Sequence, residues 1–368
     1  MSGNRLERQR VRSSQVTATV RGFAVGPANY AGQAHQWARA VQRVFGVPAV
    51  AFAFPDRLPF QRGGFRFPVD RRLPHHRVVP GWGRVAWTRH RVLRGVTHLA
   101  VDAFLPVYGR PGLVHIDADY DRLRRDGLAV ALISHGTDLR DPEAHIRRHP
   151  FSYYASAPQG WVATTADRAR QNRQIARELG APLFVSTPDL LLDAGWATWL
   201  PVSIDPVVWA ADGPALRDRV PTVLHRPSRT SPPIKGTEII EPVLLDLARR
   251  GRIRYLNPGL VPNEAMPALI ARADVVVDQI LTGSYGVAAV EAMAAGRLVV
   301  GYVGEETTAV MPEPPPIVNA PPATFADVMA GIVDDRERYA GLAAQGPGFV
   351  RRWHDGTAAA EALRPFLS

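Results

Sequence analysis

Short apolar runs recur along the first half of the chain and alternate with stretches of helical periodicity. The runs cover residues 16–25, 47–54, 113–116, 128–133, 161–164 and 183–185. Helices are predicted between them, one with Ala34, Trp37 and Val41 on a single face and another over 167–179. Apolar runs separated by helices are typical of a parallel sheet covered on both faces. The first half is therefore predicted to be a doubly wound α/β unit, interrupted by a long Pro- and Arg-rich loop over 55–83.

The second half repeats this alternation. Strands are predicted at 222–225, 252–256, 275–277 and 298–302, and helices at 237–250, 266–271, 287–295 and 324–334. Pro201 and Pro206 interrupt regular structure between the halves, so we predict domains over 1–200 and 201–347. A last helix, within 348–368, is expected to follow the second sheet, where it can pack back on the first domain. Two such domains place a cleft between the carboxyl ends of their sheets.

Composition excludes several kinds of chemistry and limits the location. The chain has no cysteine, which excludes disulfides, thiolate metal sites and cysteine nucleophiles. No apolar run reaches the roughly 18–20 residues that span a bilayer. Residues 1–15 carry charge, and the run behind them is not the apolar core of a signal peptide, so no secretory signal is expected there. A cytoplasmic location is the resulting expectation.

The net charge of +10 requires some acidic partner. The basic residues are spread along the chain without the fold pattern of a nucleic-acid-binding protein, so we expect no nucleic acid. A phosphorylated ligand fits the charge. Peripheral contact of the protein with the inner face of the membrane stays open as a further alternative.

Lys235 is the one lysine among 44 Lys and Arg residues. It lies in a loop at the predicted start of a helix, beside Gly236, and Arg229 precedes it by six positions. A compact ammonium and a planar guanidinium are not interchangeable at a tight phosphate site. Two cations and the positive end of a helix dipole therefore predict an anion site here.

A strand, a glycine loop and a helix follow one another over residues 275–296. Gly283 and Gly286 allow the backbone to approach a ligand closely, and the helix from Val287 begins with unpaired N–H groups at its positive end. This arrangement suits a pyrophosphate. Glu291 lies about one turn inside that helix, where its carboxylate would accept hydrogen bonds from the two hydroxyls of a ribose.

Two stretches of the second half resemble the donor-binding half of the large group-1, family 4-like retaining glycosyltransferases, namely KGTE (235–238) and YGVAAVEAMAAGRLVV (285–300). The likeness extends to GPANYAGQ (26–33), SHGTDLR (134–140), VSTPDLL (185–191) and LPVSID (200–205), and so covers most of the chain. It implies the GT-B fold, in which two Rossmann-like domains face a central cleft. It also implies transfer from a UDP-, GDP- or dTDP-sugar to a small-molecule, lipid-linked or glycan acceptor. The resemblance further implies that the reaction retains the anomeric configuration of the sugar and needs neither a metal nor a resident cofactor.

By position, this resemblance assigns roles to particular residues. In the family a loop Arg and Lys hold the pyrophosphate, amides after the glycine cap it, and a helix glutamate binds the ribose. The donor-binding residues it implies are Arg229, Lys235, Gly236, Ser284, Tyr285, Gly286, Val287 and Glu291, with Val261 near the base and Gly32 in the first glycine loop. His135 is implied as a catalytic residue near the anomeric carbon, with Asp138 orienting it or capping the next helix. In enzymes of this class the departing phosphate itself takes the acceptor proton.

One departure from the family concerns the donor sugar. The family's Glu-x7-Glu pattern needs a glutamate eight residues before Glu291, and that position is Gly283. Either the donor sugar has altered hydroxyls, or Ser284 and Tyr285 make the contacts instead.

Two other functions share the architecture: a sugar-nucleotide 2-epimerase, which needs no acceptor pocket, and a catalytically silent GT-B partner protein.

A group of aspartates imitates a calcium loop. Asp117, Asp119 and Asp121 have its opening spacing, but Arg122 and Leu128 occupy the positions of its glycine and its terminal glutamate. A strand end followed by a solvated acidic helix start is the better interpretation. No metal site is therefore expected.

Overall fold

The computed structural model describes residues 20–55, 67–75, 79, 81–109, 115–227, 232–259 and 261–368. Arg229, one of the predicted phosphate ligands, lies outside the described residues. Within these ranges the chain forms two parallel sheets with helices around them. The predicted α/β fold with two doubly wound units is confirmed.

The first sheet has seven strands within the described residues. They are β1 (Phe23–Gly26), β2 (Ala49–Ala53), β3 (Arg71–Arg72), β4 (His98–Asp102), β5 (Ala129–Ser134), β6 (Leu183–Val185) and β7 (Thr198–Trp199). Their order is β3-β2-β1-β4-β5-β6-β7, and every neighbouring pair is parallel. The helices of this half are α1 (Gln33–Phe45), α2 (Gly81–Trp87), α3 (Asp117–Arg125), α4 (Pro142–Arg148), α5 (Tyr153–Ser156) and α6 (Gln159–Leu179). The chain's connections change direction between β1 and β4.

The second sheet has five strands within the described residues, again all parallel. They are β8 (Thr222–His225), β9 (Arg254–Leu256), β10 (Val275–Val277), β11 (Leu298–Gly301) and β12 (Ile317–Asn319), in the order β12-β11-β10-β8-β9. The helices are α7 (Pro206–Trp209), α8 (Thr237–Arg249), α9 (Met266–Ala271), α10 (Val287–Ala294), α11 (Glu305–Ala309), α12 (Phe325–Asp334), α13 (Arg336–Ala343), α14 (Gly346–Trp353) and α15 (Thr357–Leu367). Here the direction changes between β8 and β10.

Two strands predicted for the first half are wrong. Residues 161–164 belong to α6, because Trp161 and Val162 pack against the apolar core of the second half and not in a sheet. The described part of the run 113–116 lies in no strand and immediately precedes α3. In the second half, by contrast, β8, β10 and α9 match their predicted bounds at both ends.

The last helix is divided into α14 and α15 and is not continuous as predicted. The break follows Trp353, and Gly356 takes a φ of +94° just before α15 begins. Leu363 and Leu367 of α15 are buried in one apolar cluster with Trp37 of α1. The chain therefore ends against the first half after completing the second.

The two halves are joined by buried contacts. Tyr153 and Tyr154 of α5 are 0% and 2% exposed and lie in the apolar core of the second half, where the Tyr153 N–H donates to the Leu281 carbonyl (3.3 Å). The Gln33 side chain donates to the Ser203 carbonyl (3.1 Å) and accepts from the Ser203 N–H (2.7 Å). The segment 200–205, which leads from β7 to α7, is thus held by the first half.

His354, at the end of α14, ties the same segment to the glycine loop. Its Nδ1 lies 2.7 Å from the Val202 carbonyl and therefore donates, and its Nε2 accepts from the Tyr285 hydroxyl (3.1 Å). Burial lowers the pKa of His354 to about 4, so the ring is neutral, as this pairing requires.

Two histidines of the α4 region pack onto the glycine loop of the second half. His145 Nε2 donates to the Thr282 carbonyl (2.8 Å), and its Nδ1 accepts from Ser152 Oγ (2.7 Å). The His149 ring lies directly over Gly283, so that a Cβ added at Gly283 would fall 2.3 Å from ring atoms. Gly283 also has a φ of +66°. The packing of the two halves therefore leaves no room for a glutamate side chain at position 283.

A methyl group at position 283 should cost more stability than the same change at an open glycine. Gly251 is the matched control, since its φ is +67° and nothing lies within 4 Å of an added Cβ. We expect Gly251→Ala to lower the free energy of unfolding by about 1 kcal/mol through its left-handed backbone alone. Gly283→Ala should lower it by about 1–3 kcal/mol more, because the added methyl meets the His149 ring.

The additional loss of unfolding free energy at position 283 should disappear when Gly283→Ala is made in a His149→Ala background. Urea unfolding of the four proteins of this double-mutant cycle measures it. Equal losses for the two glycine variants in the wild-type background would contradict the packing of His149 on this loop.

Candidate active site

The candidate site of the second half lies at the strand pair where the sheet changes direction. β9 lies on one side of β8 and β10 to β12 on the other, so the loops leaving β8 and β10 diverge. Arg226 directly follows β8, and Asp278 directly follows β10. A charged residue thus stands on each side of the crevice in which open parallel sheets bind their ligands.

Lys235 enters this crevice from the loop before α8. Its Nζ lies 3.1 Å from Asp278 Oδ1, and 17% of the lysine side chain and 3% of the aspartate side chain are exposed. The Ile280 N–H donates to the Lys235 carbonyl (3.1 Å), which holds the two loops together. Gly236 has a φ of +80°, and a Cβ added there would fall 2.7 Å from Ile280 Cγ1. The structure thus brings Lys235 and Gly236 to Asp278, which the sequence analysis did not name.

Gly286 stands at the amino end of α10. Its N–H donates to Asp278 Oδ2 (3.3 Å). Its φ of −117° is open to any residue, and the nearest described atom to an added Cβ lies 3.8 Å away. Nothing in the described part of the protein therefore requires a glycine here, which leaves close approach by a ligand as its use. The amides of Val287 and Ala288 follow, and the first amides of a helix have no partner within it.

Glu291 lies one turn further along α10 and is partly buried. Burial raises the pKa of Glu291 to about 8; the Lys235 ammonium opposes this, Asp278 raises the pKa further and Arg226 lowers it. In the ligand-free protein at neutral pH, the side chain is therefore mostly the protonated acid. Lys235, Arg226, Asp278 and Glu291 thus form one cluster of electrostatically interacting ionisable groups.

Arg226 is a site residue that the sequence analysis missed. Its guanidinium is half-buried, and burial lowers the pKa of Arg226 while the Glu291 carboxyl opposes that change. The signal that could have identified it is its position: it follows an apolar strand whose carboxyl end lies at the predicted cleft. The predicted cation Arg229 lies three residues later, outside the described part of the chain.

The other residues predicted for the donor site point into the protein. Ser284 and Tyr285 are 1% and 3% exposed, and the Tyr285 hydroxyl is bonded to His354. Val261 and Val287 are partly buried against the apolar cluster that contains Tyr285. The side chains of Ser284 and Tyr285, which carry the two predicted hydroxyls, are therefore both buried.

In the first half, His135 follows β5 at its carboxyl end. Its ring stacks on Trp37 (centroids 5.7 Å apart, planes 14° apart) and meets the edge of Tyr30 (5.3 Å). His135 Nε2 lies 3.4 Å from Asp102 Oδ2, and 11% of the His135 side chain is exposed. Asp102 is fully buried at the end of β4, where its carboxylate accepts from the N–H groups of Ala28 (2.6 Å) and Asn29 (2.9 Å).

Asp138 holds the backbone beside His135 and does not contact its ring. Its Oδ1 accepts from Ser134 Oγ (2.9 Å) and from the N–H groups of His135 (3.1 Å) and Gly136 (2.7 Å). The cap of the next helix, α4, is Asp141. The residue that faces the imidazole is therefore Asp102, which the sequence analysis did not name because no motif marks it.

Costly backbone conformations surround this histidine. Five non-glycine residues in the described ranges have a positive φ, and four of them are Asn29 (48°), Ala31 (51°), Ala103 (57°) and Phe104 (55°). These four lie in the loops after β1 and β4, the strands between which the first sheet changes direction. Each costs on the order of 1 kcal/mol or more, and such strain clusters at functional sites. Gly32 closes the first loop, with a φ of +74°.

Among the aspartates at 117–121, Asp119 has a structural role and is not solvated as predicted, whereas Asp117 and Asp121 are exposed. Asp119 is buried, and its Oδ2 accepts from the N–H groups of Val107 (2.7 Å), Tyr108 (2.7 Å) and Gly109 (2.9 Å). In the portion of the chain that the structure describes, no group of three or more His, Cys, Asp or Glu side chains could hold a metal ion. No helix in that portion is long and apolar enough to cross a membrane.

Comparison by sequence finds neither a protein-family profile nor a curated protein that matches the chain. Solved structures do match. Sucrose-phosphate synthase from Thermosynechococcus elongatus is 14% identical with a TM-score of 0.57, covering 94% of this chain and 98% of its own. Anabaena HepE, solved with UDP and glucose, is 14% identical with a TM-score of 0.57 and covers 95% and 99%. WaaG, a glycosyltransferase of lipopolysaccharide biosynthesis, is 12% identical with a TM-score of 0.53 and covers 94% and 99%. The chain therefore has the GT-B fold of these glycosyltransferases, with two Rossmann-like domains.

Proposed function

We propose that this chain is a glycosyltransferase whose donor is a nucleoside-diphosphate sugar. The convergence of Lys235, Arg226 and Glu291 with the amino end of α10 at the β8–β10 crevice carries the proposal. Two cations and the amino end of a helix suit a diphosphate, and a partly buried carboxyl suits the hydroxyls of a ribose. The GT-B fold supports it, as does the binding of UDP and UDP-glucose by Anabaena HepE.

Each residue has a defined part in the proposed reaction. Lys235 and Arg226 neutralise the charge that builds on the diphosphate as its bond to the sugar breaks, and the amides from Gly286 onward donate hydrogen bonds to it. Because the amides belong to the backbone of α10, they need little reorganisation at the moment of reaction. The proposed transfer retains the anomeric configuration, uses neither a metal nor a resident cofactor, and lets the departing phosphate take the acceptor proton.

The first half supports a transferase over an epimerase, because an epimerase needs no acceptor site. His135 is fixed by Trp37 and Asp102, and residues with costly backbone conformations flank it on two loops. We propose that the His135 ring orients the acceptor hydroxyl. The acceptor is a small molecule, a lipid-linked molecule or a glycan, met in the cytoplasm or at the inner membrane face.

A nucleotide screen tests the donor proposal directly. Melting temperatures are measured with UDP, GDP, ADP, dTDP and their sugars, and we expect one base to stabilise the protein. At a hundredfold excess over Kd the stabilisation is about 2.7 kcal/mol. A Lys235→Ala variant should lose this shift, measured against its own ligand-free melting temperature, which falls because Asp278 loses its ion-pair partner. If no nucleotide shifts the melting of the wild-type protein, the chain is a silent GT-B protein.

Nucleoside diphosphate binding should strengthen as the pH rises through about 8. The ribose hydroxyls need the charged form of Glu291, so below its pKa of about 8 binding must release a proton. Between pH 6.5 and 8.5 one such group changes the affinity by roughly 25-fold. Titration calorimetry should show this change, with proton release near pH 7 in buffers of different ionisation enthalpy. Glu291→Gln is the control, and equal pH profiles for both proteins would contradict the ribose assignment.

The glycoside product should keep the anomeric configuration of the donor sugar. NMR coupling constants of the product decide this, and an inverted configuration would overturn the proposed mechanism.

His135→Ala should lower kcat with the donor Kd unchanged, since the ring acts on the acceptor. Asp102→Asn should lower kcat in the same direction, because it weakens the hold on the His135 ring. If His135→Ala and Asp102→Asn both weaken donor binding as much as they lower kcat, this division of roles is wrong.

A further inference from the structure

Asp278 is the one residue of the donor cluster that the proposed function does not use. Its carboxylate is 3% exposed and bonded on both oxygens: Oδ1 lies 3.1 Å from Lys235 Nζ, and Oδ2 accepts from the Gly286 N–H at 3.3 Å. It stands at the end of β10, in the crevice itself. A buried carboxylate at a site meant for a diphosphate needs an explanation, because the two repel each other.

Both partners of Asp278 are groups that the proposed function assigns to the diphosphate. An amide has a single hydrogen, so the Gly286 N–H cannot serve Asp278 and a phosphate oxygen fully at once. The Lys235 ammonium has three hydrogens, but its position is set by the Asp278 carboxylate. A carboxylate between an ammonium and a helix amino end takes the place that one phosphate group would take.

From this geometry, and resting on the proposed donor site, we propose that Asp278 is an internal competitor for the donor diphosphate. In the ligand-free protein its carboxylate holds Lys235 and the Gly286 amide in place, and a bound diphosphate displaces it from one or both. After transfer the carboxylate returns to Lys235 as the nucleoside diphosphate leaves. Asp278 therefore lowers the affinity for the product and favours its release.

Asp278→Asn tests this directly, because the amide side chain has nearly the same shape, can still accept from Gly286 and carries no charge. The probe is inorganic pyrophosphate, which needs no knowledge of the base, followed by the nucleoside diphosphate found in the screen. We expect calorimetry to show about tenfold tighter binding of both, with a matching increase in product inhibition. Asp278→Glu keeps the charge and should not bind more tightly than the wild type.

Asp274→Asn is the matched control within the same region. Asp274 immediately precedes β10, at the opposite end of that strand, where its carboxylate accepts from the N–H groups of Leu216 and Thr222 (2.8 Å each). Its substitution should leave pyrophosphate binding unchanged. Equal tightening by Asp274→Asn would show a general charge effect and overturn the inference.

The remaining outcomes are also decisive. All titrations are run in EDTA and again with Mg²⁺. Unchanged or weaker binding by Asp278→Asn in EDTA overturns the inference, since Asp278 would then only position Lys235. A loss of binding confined to Mg²⁺ overturns it as well, because Asp278 would then be a metal ligand. If neither the wild type nor the variant binds any probe, the proposed donor site fails and this inference fails with it.

Discussion

A parallel sheet brings the carboxyl ends of its strands to one edge, and where the chain's connections change direction, two neighbouring loops turn away from each other and leave a crevice. Both sheets of this protein are parallel throughout the described residues, and each changes direction once, between β1 and β4 or between β8 and β10. Asp102 and Gly26 end the strands of the first pair, and Arg226 and Asp278 follow those of the second. The strand order alone therefore determines where the site's charges can lie.

The buried histidines show how the same residue type serves packing and chemistry in one molecule. His145, His225 and His354 each donate from one ring nitrogen to a backbone carbonyl and accept a hydroxyl hydrogen at the other. Burial lowers the pKa of His225 to about 4, as it does for His354, so these rings stay neutral. His135 differs because its partner is a carboxylate and part of its ring reaches solvent.

Four of the five strands described in the second half could be predicted from the sequence, because they are short apolar runs bounded by glycine, proline and charged residues. The fifth, β12, follows a proline-rich stretch and was not predicted. Two separate local patterns are also recognisable, one with Lys235 beside Gly236 and the other with Gly286 five residues before Glu291. The rest depends on neighbours distant in sequence. Asp102 becomes meaningful only when β4 and β5 pair, and β4 was not among the predicted strands although Leu99, Ala100 and Val101 form an apolar run. The helix at 161–164 was missed because its aromatic and β-branched side chains pack on the other half, a contact that local periodicity cannot reveal.

The chain of hydrogen bonds from Val202 through His354 to Tyr285 links the segment between the two halves to the glycine loop. Val202 belongs to that segment, and Tyr285 lies one residue before Gly286 at the amino end of α10. While both bonds hold, bending of segment 200–205 cannot leave the glycine loop where it was. The angle between the two halves and the shape of the glycine loop are therefore mechanically coupled, through the His354 ring as well as through the rings of His145 and His149.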